Sequence, residues 1–231
     1  MTTRRFFSAL PVVDGSIILT GDELFHLRKV NRAKAGDEIE VINGKGSLFF
    51  GRIRKINKDE ALVAVDREES EPRPALTTII GPSLVKKKVM NLVIEKLTEM
   101  GVDEIRPVLY TRTDEKYNSS HLKKWRHLAI QSLKVNKKLW PTHIYPPAAV
   151  DEIIEFSREV GTKILLDKEG RDIAGGNFSF PVMSVIGPPG GFEPGEKERF
   201  RQAGFVFYKV NDCVLKSETA ALSIAAVLKI R

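Results

Sequence analysis

Cysteine is nearly absent from this 231-residue chain: Cys213 is the only one. That excludes an internal disulfide and a thiolate metal cluster. No apolar run approaches the roughly 20 residues that a membrane-spanning helix needs. The first seven residues, MTTRRFF, lack a long apolar core and a cleavage-like site, so no signal peptide is read there. No two of the four histidines stand at metal-ligand spacing. Neither a GxGxxG fingerprint nor a P-loop occurs, which disfavours dinucleotide and triphosphate ligands. Internal repeats and low-complexity tracts are missing as well. These absences predict a cytoplasmic protein with no membrane partner and no metal.

What is present is ordinary for a soluble globular chain: 42% hydrophobic and 29% charged residues. The charge is less ordinary, at +7 net with a pI near 9.4. Residues 1–73 hold 13 basic and 12 acidic side chains, so +6 of the excess lies beyond them. Such a balance speaks to partners rather than to fold. It suits nucleic acid, and its alternative is a solvated basic surface.

Residues 1 to about 70 alternate short β-like runs with turns. Runs 16–19, 38–42, 47–53 and 62–65 are predicted strands, punctuated by Gly36-Asp37, Asn43-Gly44 and Asn57-Lys58-Asp59. The stretch Asn43-Gly44-Lys45-Gly46 suits a hairpin turn, because it can take positive φ at low cost. Short strands at this spacing predict a small barrel. A short helix begins near Gly21, with Asp22 as its expected cap. Arg28, Lys29 and Arg32 then put three cations on the helix end and the loop after it. They are candidate contacts to RNA phosphates, although a helix C-terminus favours cations in any case.

Residues 67–74, REESEPRP, read as the boundary between two domains, 1–70 and 71–231. Beyond it, predicted strands at 77–80, 105–109, 143–145, 163–166, 182–186 and 205–210 alternate with helical patterns. The first helix has Gly101 as its expected C-cap, and the helix over 150–160 has Asp151 or the loop at Val150 as its expected N-cap. This alternation predicts an α/β domain with a mainly parallel sheet. Lys86-Lys87-Lys88 opens the first helix against its dipole, as a solvated face or a contact for RNA backbone. Lys134, Lys137, Lys138 and Trp140 form a basic stretch beside an aromatic, which suits single-stranded RNA. Trp140 reads equally well as a packing residue.

Residues 182–228 carry the strongest functional signal. The apolar run Val182–Ile186 predicts a buried strand and ends at Gly187-Pro188-Pro189-Gly190-Gly191, which exposes bare backbone. A short helix is predicted next, with Pro194 near its first turn and Gly204 past its end. A second strand then leads through Asn211-Asp212-Cys213 to Ser217, the expected cap of an Ala/Leu/Ile-rich final helix. In an open α/β sheet, ligands bind outside such carboxyl strand ends. Backbone-rich loops at Leu166–Gly170, after Ile186 and after Val210 suit an adenosine-containing ligand.

The pair IGPPGGFEPGEKE and VLKSETAALSIAAVL resembles the SPOUT-type RNA methyltransferases, and within them the 16S ribosomal RNA (uracil-N3)-methyltransferases, the RsmE family. HLRKVNRAKAGDEIEVINGKG is similar to that family's PUA-like RNA-binding domain, and EKLTEMGVDEIRPV to a further stretch of it. Pro189 stands where the family has an acidic residue, and Lys216 where it has an arginine. The resemblance implies an α/β fold: a SPOUT-type mainly parallel sheet with helices on both faces and a C-terminal trefoil knot, preceded by a small PUA-like β-barrel. It implies S-adenosylmethionine as cofactor, ribosomal RNA or the small ribosomal subunit as partner, and a homodimer. It also implies cofactor contacts from Leu166, Ile186, Gly187, Gly190, Gly191, Val210, Asn211, Val214, Leu215 and Thr219.

Methylating uracil N3 requires the loss of a proton and leaves negative charge on the carbonyl oxygens. Lys216 is the candidate cation and Glu218 the candidate proton acceptor. Two other readings remain open at this point. One is a catalytically silent RNA-binding or ribosome-assembly protein on the same fold. The other is an unrelated α/β enzyme holding a phosphorylated small molecule on the glycine-rich loop.

Overall fold

The computed structural model describes residues 4–230; residues 1–3, where the stretch read for a signal peptide begins, lie outside them. The chain forms two compact units. One is Met1–Pro74 with Leu133–Pro141, and the other is Ala75–Ser132 with Thr142–Arg231.

The first unit contains β1 (Arg4–Phe7), β2 (Ser16–Leu19), α1 (Gly21–Phe25), β3 (Glu38–Ile42), β4 (Ser47–Ile56) and β5 (Ala61–Ser70). They form one sheet in the order β1-β3-β4-β5-β2, with β1 parallel to β3 and the other pairs antiparallel. Alternate residues such as Ile39, Val41, Ile53 and Val63 point inward onto Phe6, Leu24 and Leu27. The sheet curls into a half-barrel. Ser8, just past β1, takes the Ile42 carbonyl through its N–H and donates its hydroxyl to the Ile18 carbonyl of β2, both at 3.0 Å. One residue thus links the two sheet edges.

Two local expectations need correction here, and of the two readings of Trp140 the packing one holds. The segment 67–70 is strand, not linker: Arg67 pairs with Phe50 and Glu69 with Leu48. Its charged side chains face solvent, and the Arg67 guanidinium lies 4.0 Å from the Phe50 ring centre. Thr20, not Asp22, stands at the N-cap position of α1, and Asp22 sits in the first turn, where the dipole favours it. Trp140 packs with Leu133, Leu139, Ile42 and Leu48, and its Nε1 donates to the Glu71 carbonyl at 3.2 Å. Gly46 is what admits it, since a Cβ there would lie 2.8 Å from the indole. Lys134 is also engaged, 2.6 Å from the buried Glu23 carboxylate, whose other oxygen accepts the Phe7 N–H.

The second unit runs β6 (Thr78–Gly81), α2 (Lys87–Glu99), β7 (Glu104–Ile105), β8 (Val108–Leu109), α3 (Ser119–Asn136), β9 (His143–Ile144), β10 (Ala148–Ala149), α4 (Val150–Phe156), β11 (Thr162–Asp172), β12 (Val182–Ile186), α5 (Pro194–Gln202), β13 (Val206–Lys209) and α6 (Ser217–Ile230). Six strands form one all-parallel sheet in the order β13-β11-β12-β6-β7-β9, and β8 pairs separately with β10. Successive residues face opposite sides. Ile80, Leu166 and Ile186 join α2, α3 and α6, whereas Ile79, Leu165 and Val185 join α4 and α5. Both faces are therefore covered, as a parallel sheet requires.

The expected strand 105–109 is broken between Ile105 and Val108, across Pro107. Of the two expected caps of α4, the loop at Val150 holds and Asp151 does not: Ala149 is the N-cap, and the Glu152 carboxylate accepts its N–H at 2.8 Å. The last helix is clasped at its far end. Lys229 Nζ lies 3.2 Å from Asp103, which also accepts the Thr77 hydroxyl at 2.7 Å and the Thr78 N–H at 2.9 Å. Burial pushes the Asp103 carboxyl up, but the Thr77 hydrogen bond, the Lys229 charge and the Thr78 N–H outweigh it and hold it below the usual carboxylate range.

Candidate active site

Three neighbouring strands bring Leu166, Ile186 and Tyr208 to one line. Leu166 of β11 pairs with Ile186 of β12 on one side and with Tyr208 of β13 on the other. Leu166 and Ile186 are buried. Beyond that line the chain leaves the sheet in three places.

The first is a looped-out segment of β11. The expected strand 163–166 does not stop at Leu166. Both Leu166 and Arg171 register with Tyr208, so residues 167–170 bulge from the edge. Gly170 makes the bulge possible, because a Cβ there would lie 2.5 Å from the Tyr208 nitrogen. Asp167 in the bulge pairs with Lys197 of α5 at 2.5 Å.

The second is the Gly187–Gly191 loop. Gly191 has φ +74° and donates to the Pro188 carbonyl at 2.8 Å. A Cβ at Gly187 would lie 2.7 Å from the Phe192 ring. That ring meets Tyr110 edge-on at 5.3 Å. Arg112 Nη1 donates to the Gly190 carbonyl at 2.7 Å, and its Nε lies 3.6 Å from Glu193. The Glu196 carboxylate, buried at the start of α5, accepts the Thr111 N–H at 2.7 Å and the Glu193 N–H at 2.8 Å. Burial, with the Glu196 charge, drives the Tyr110 phenol well above its ordinary pKa, so it stays protonated.

The third is the crossover from β13 to α6. Asn211 Oδ1 accepts the Cys213 N–H at 2.9 Å. Val210 and Leu215 are half-buried against the core, while Val214 is 83% exposed. The expected capping role of Ser217 is corrected. The Lys216 carbonyl accepts the Ala220 N–H at 2.9 Å, so Lys216 stands at the cap and Ser217 is the first helical residue. The Ser217 hydroxyl instead donates to the Gly187 carbonyl at 2.8 Å and ties the second and third segments together.

The structure thus brings Leu166, Ile186 and Gly187 together with the start of α6, where Lys216, Glu218 and Thr219 sit. Gly190 and Gly191 are exposed on the loop, and Lys216 and Thr219 are exposed on the helix start. Lys216 has no ion-pair partner among the described residues. No cluster of histidine, cysteine and carboxylate side chains suited to a metal occurs among the described residues. Sequence reasoning missed Tyr110, Arg112, Phe192 and Glu196. Glu193-Pro194-Gly195-Glu196 did carry a signal, the spacing of a capping box. Arg112 carried none.

Arg28, Lys29 and Arg32 belong to the first unit. A π-helical turn, His26–Val30, follows α1, and the Asn31 N–H closes it on the His26 carbonyl at 2.9 Å. All three cations are exposed, and Arg28 Nη1 donates to the Lys58 carbonyl at 3.3 Å.

Two family models match the chain: an RNA methyltransferase domain over residues 71–229 and an RNA methyltransferase PUA domain over residues 19–66. The chain belongs to this RNA methyltransferase family. Membership sets aside the unrelated enzyme for a phosphorylated small molecule. The ribosomal RNA small subunit methyltransferase E of Aquifex aeolicus is 28% identical over 92% of this chain and 93% of its own length. A Legionella pneumophila protein described as a methyltransferase, solved with bound S-adenosylmethionine, superposes with a TM-score of 0.92 at 22% identity, covering 100% of this chain and 98% of that one. The small subunit methyltransferase E of Neisseria gonorrhoeae, also solved with that cofactor, gives 0.87 at 21% identity, covering 99% and 97%. These two likenesses establish the shared fold. Among the described residues of this RNA methyltransferase, no helix is long and apolar enough to cross a membrane.

Proposed function

We propose that this RNA methyltransferase uses S-adenosylmethionine to methylate N3 of a uridine in small-subunit ribosomal RNA, in the cytoplasm and as a homodimer. The observation that carries the reading is the bond from Ser217 to Gly187, which joins the glycine-rich loop to the crossover before α6 at the carboxyl side of a parallel sheet. The relatives' names supply the substrate, and the solved relatives supply the cofactor. The residues present fit that cofactor. Leu166, Ile186, Val210, Leu215 and Val214 offer apolar walls for a heterocycle. Gly187, Gly190 and Gly191 with Asn211 and Thr219 offer backbone and side-chain polar groups at close range. When bound, the cofactor supplies an electrophilic methyl on sulfur.

The chain must hold the uracil ring in line and manage one proton. Glu218 accepts the N3 proton. Lys216, a cation with no ion-pair partner among the described residues, stabilises the charge that spreads to the ring oxygens. Residues 1–70 bind RNA through Arg28, Lys29 and Arg32, and residues 71–231 carry the chemistry. The trefoil knot proposed with this fold involves the segment from β13 past β11 to the start of α6, where Ser217 meets Gly187. The exposed Val214 suits a second copy of the chain.

The test is transfer of labelled methyl from S-adenosylmethionine to small ribosomal subunits and to naked 16S RNA, with the modified base mapped. Lys216→Ala and Glu218→Gln are each expected to lower turnover on the order of a hundredfold, with cofactor affinity in calorimetry within a few fold. Unchanged turnover in both would remove them from the mechanism. No cofactor binding by the wild-type chain would overturn the reading itself.

A further inference from the structure

The turn after α1 makes a built surface whose chemistry goes beyond a row of phosphate contacts. Leu27 is fully buried and Leu24 nearly so, and both anchor this segment in the first unit's core. The same anchoring turns Phe25 outward, where it is 62% exposed. An exposed phenylalanine on a fixed helical segment is a large apolar face left in water.

That face is not isolated. A shallow depression beside it is lined by Gly21, Leu24, Phe25, Arg28, Lys29, Lys58 and Asp59. Three cations therefore stand around one ring against one carboxylate. Lys29 and Lys58 have no ion pair among the described residues. Arg28 spends one donor on the Lys58 carbonyl, leaving the rest of its fork available. The π-helical turn places Arg28 and Lys29 here: its wider winding, closed from Asn31 to His26, sets them three and four residues beyond Phe25 on the same side.

An aromatic face ringed by unpaired cations matches one chemistry closely, a stacked base with its flanking phosphates. A duplex offers phosphates but keeps its base faces covered by neighbouring pairs. We propose that this surface holds an unpaired nucleotide of the RNA substrate, with its base stacked on Phe25 and its phosphates against Arg28, Lys29 and Lys58. The inference rests on the RNA substrate of the proposed function and adds to it the form in which RNA is held: single-stranded at this point. Phe25 is a binding residue here and takes no part in methyl transfer.

The full chain can be tested with fluorescein-labelled oligoribonucleotides in single-stranded form and annealed to their complement, read by anisotropy at fixed salt. The expected result is tighter binding of the single strand. Phe25→Ala weakens it about tenfold, and Phe25→Trp restores it, with quenching of the added indole fluorescence on binding. Lys58→Ala lowers affinity for every sequence alike and flattens the salt dependence. Equal affinity for the duplex, or Phe25→Ala binding within twofold of wild type, would overturn the inference. Methyl transfer to small subunits by the wild-type chain is measured alongside. If transfer occurs and Phe25 proves silent, only this inference falls. If Phe25 governs single-strand binding and no transfer occurs, the nucleotide site stands and the methyltransferase reading falls.

Discussion

The two crossovers that flank the Ser217–Gly187 bond are built in opposite ways. The Gly187–Gly191 loop is held from several sides, by Arg112 on the Gly190 carbonyl, by the Phe192 ring under Gly187 and by Ser217 on the Gly187 carbonyl. The crossover at 210–216 is held mainly at its ends. Val210 and Leu215 touch the core, while Asn211 through Val214 stay exposed. The first is a preformed wall. The second is a strap whose position depends on α6, the helix it leads into. Preorganised groups need no rearrangement when charge or ligand arrives. Exposed apolar groups such as Val214 wait for something to cover them.

The contrast can be broken most severely at the wall. Gly187→Ala puts a Cβ against the Phe192 ring, and overpacking of this kind costs about 1–3 kcal/mol. Calorimetry with S-adenosylmethionine is expected to show at least a roughly tenfold loss of affinity. Gly191→Ala meets open space and only the strain of its positive φ, so a loss on the order of 1 kcal/mol in chemical denaturation is expected there.

The strap is tested through the far end of α6. Asp103→Asn removes the charge that Lys229 faces and is expected to cost about 1–3 kcal/mol at neutral pH. The carboxyl is held below its ordinary range in the folded chain. Its contribution is therefore complete above the unfolded pKa of about 4 and is lost as pH falls through the lower folded value. Wild type and variant should converge in stability in that acid range. A gap that persists there would mean packing, not charge, holds the clasp.

Ser217→Ala cuts the tie between wall and strap. About 1 kcal/mol of stability should go with it, and hydrogen exchange at 211–215 should rise more than at 187–191. Equal rises in both would erase the distinction. The smallest effect lies behind the wall. The Tyr110 hydroxyl is buried with no hydrogen-bond partner among the described residues, so Tyr110→Phe should be neutral or stabilise by up to about 1 kcal/mol. A loss above that would mean a polar partner, such as water, serves the hydroxyl.

Much of this was legible along the chain. Val182–Ile186 is a strand with the expected bounds, because a continuous apolar run between turn signals leaves little choice. Pro194 opens α5 and Gly204 follows it with φ +84°, as their backbone preferences dictate. The glycines of the site were visible for the same reason. Caps were read less well. Ser217 is chemically able to cap, but Gly187 offers its hydroxyl a carbonyl from thirty residues away. Strand β5 ran three residues past Arg67 because Phe50 and Leu48 on the neighbouring strand supply pairing that charge composition does not reveal.

By itself the sequence determined the alternation of elements, the bare-backbone loop at Gly187–Gly191 and the cationic excess, since these follow from residue type and local spacing. Tertiary structure alone decided that Leu166, Ile186 and Tyr208 lie in one line, that Arg112 braces Gly190, that Trp140 packs and that Lys134 pairs with Glu23. Those pairings join positions tens of residues apart. They are selected by which surfaces can be buried together, a condition that no local window contains.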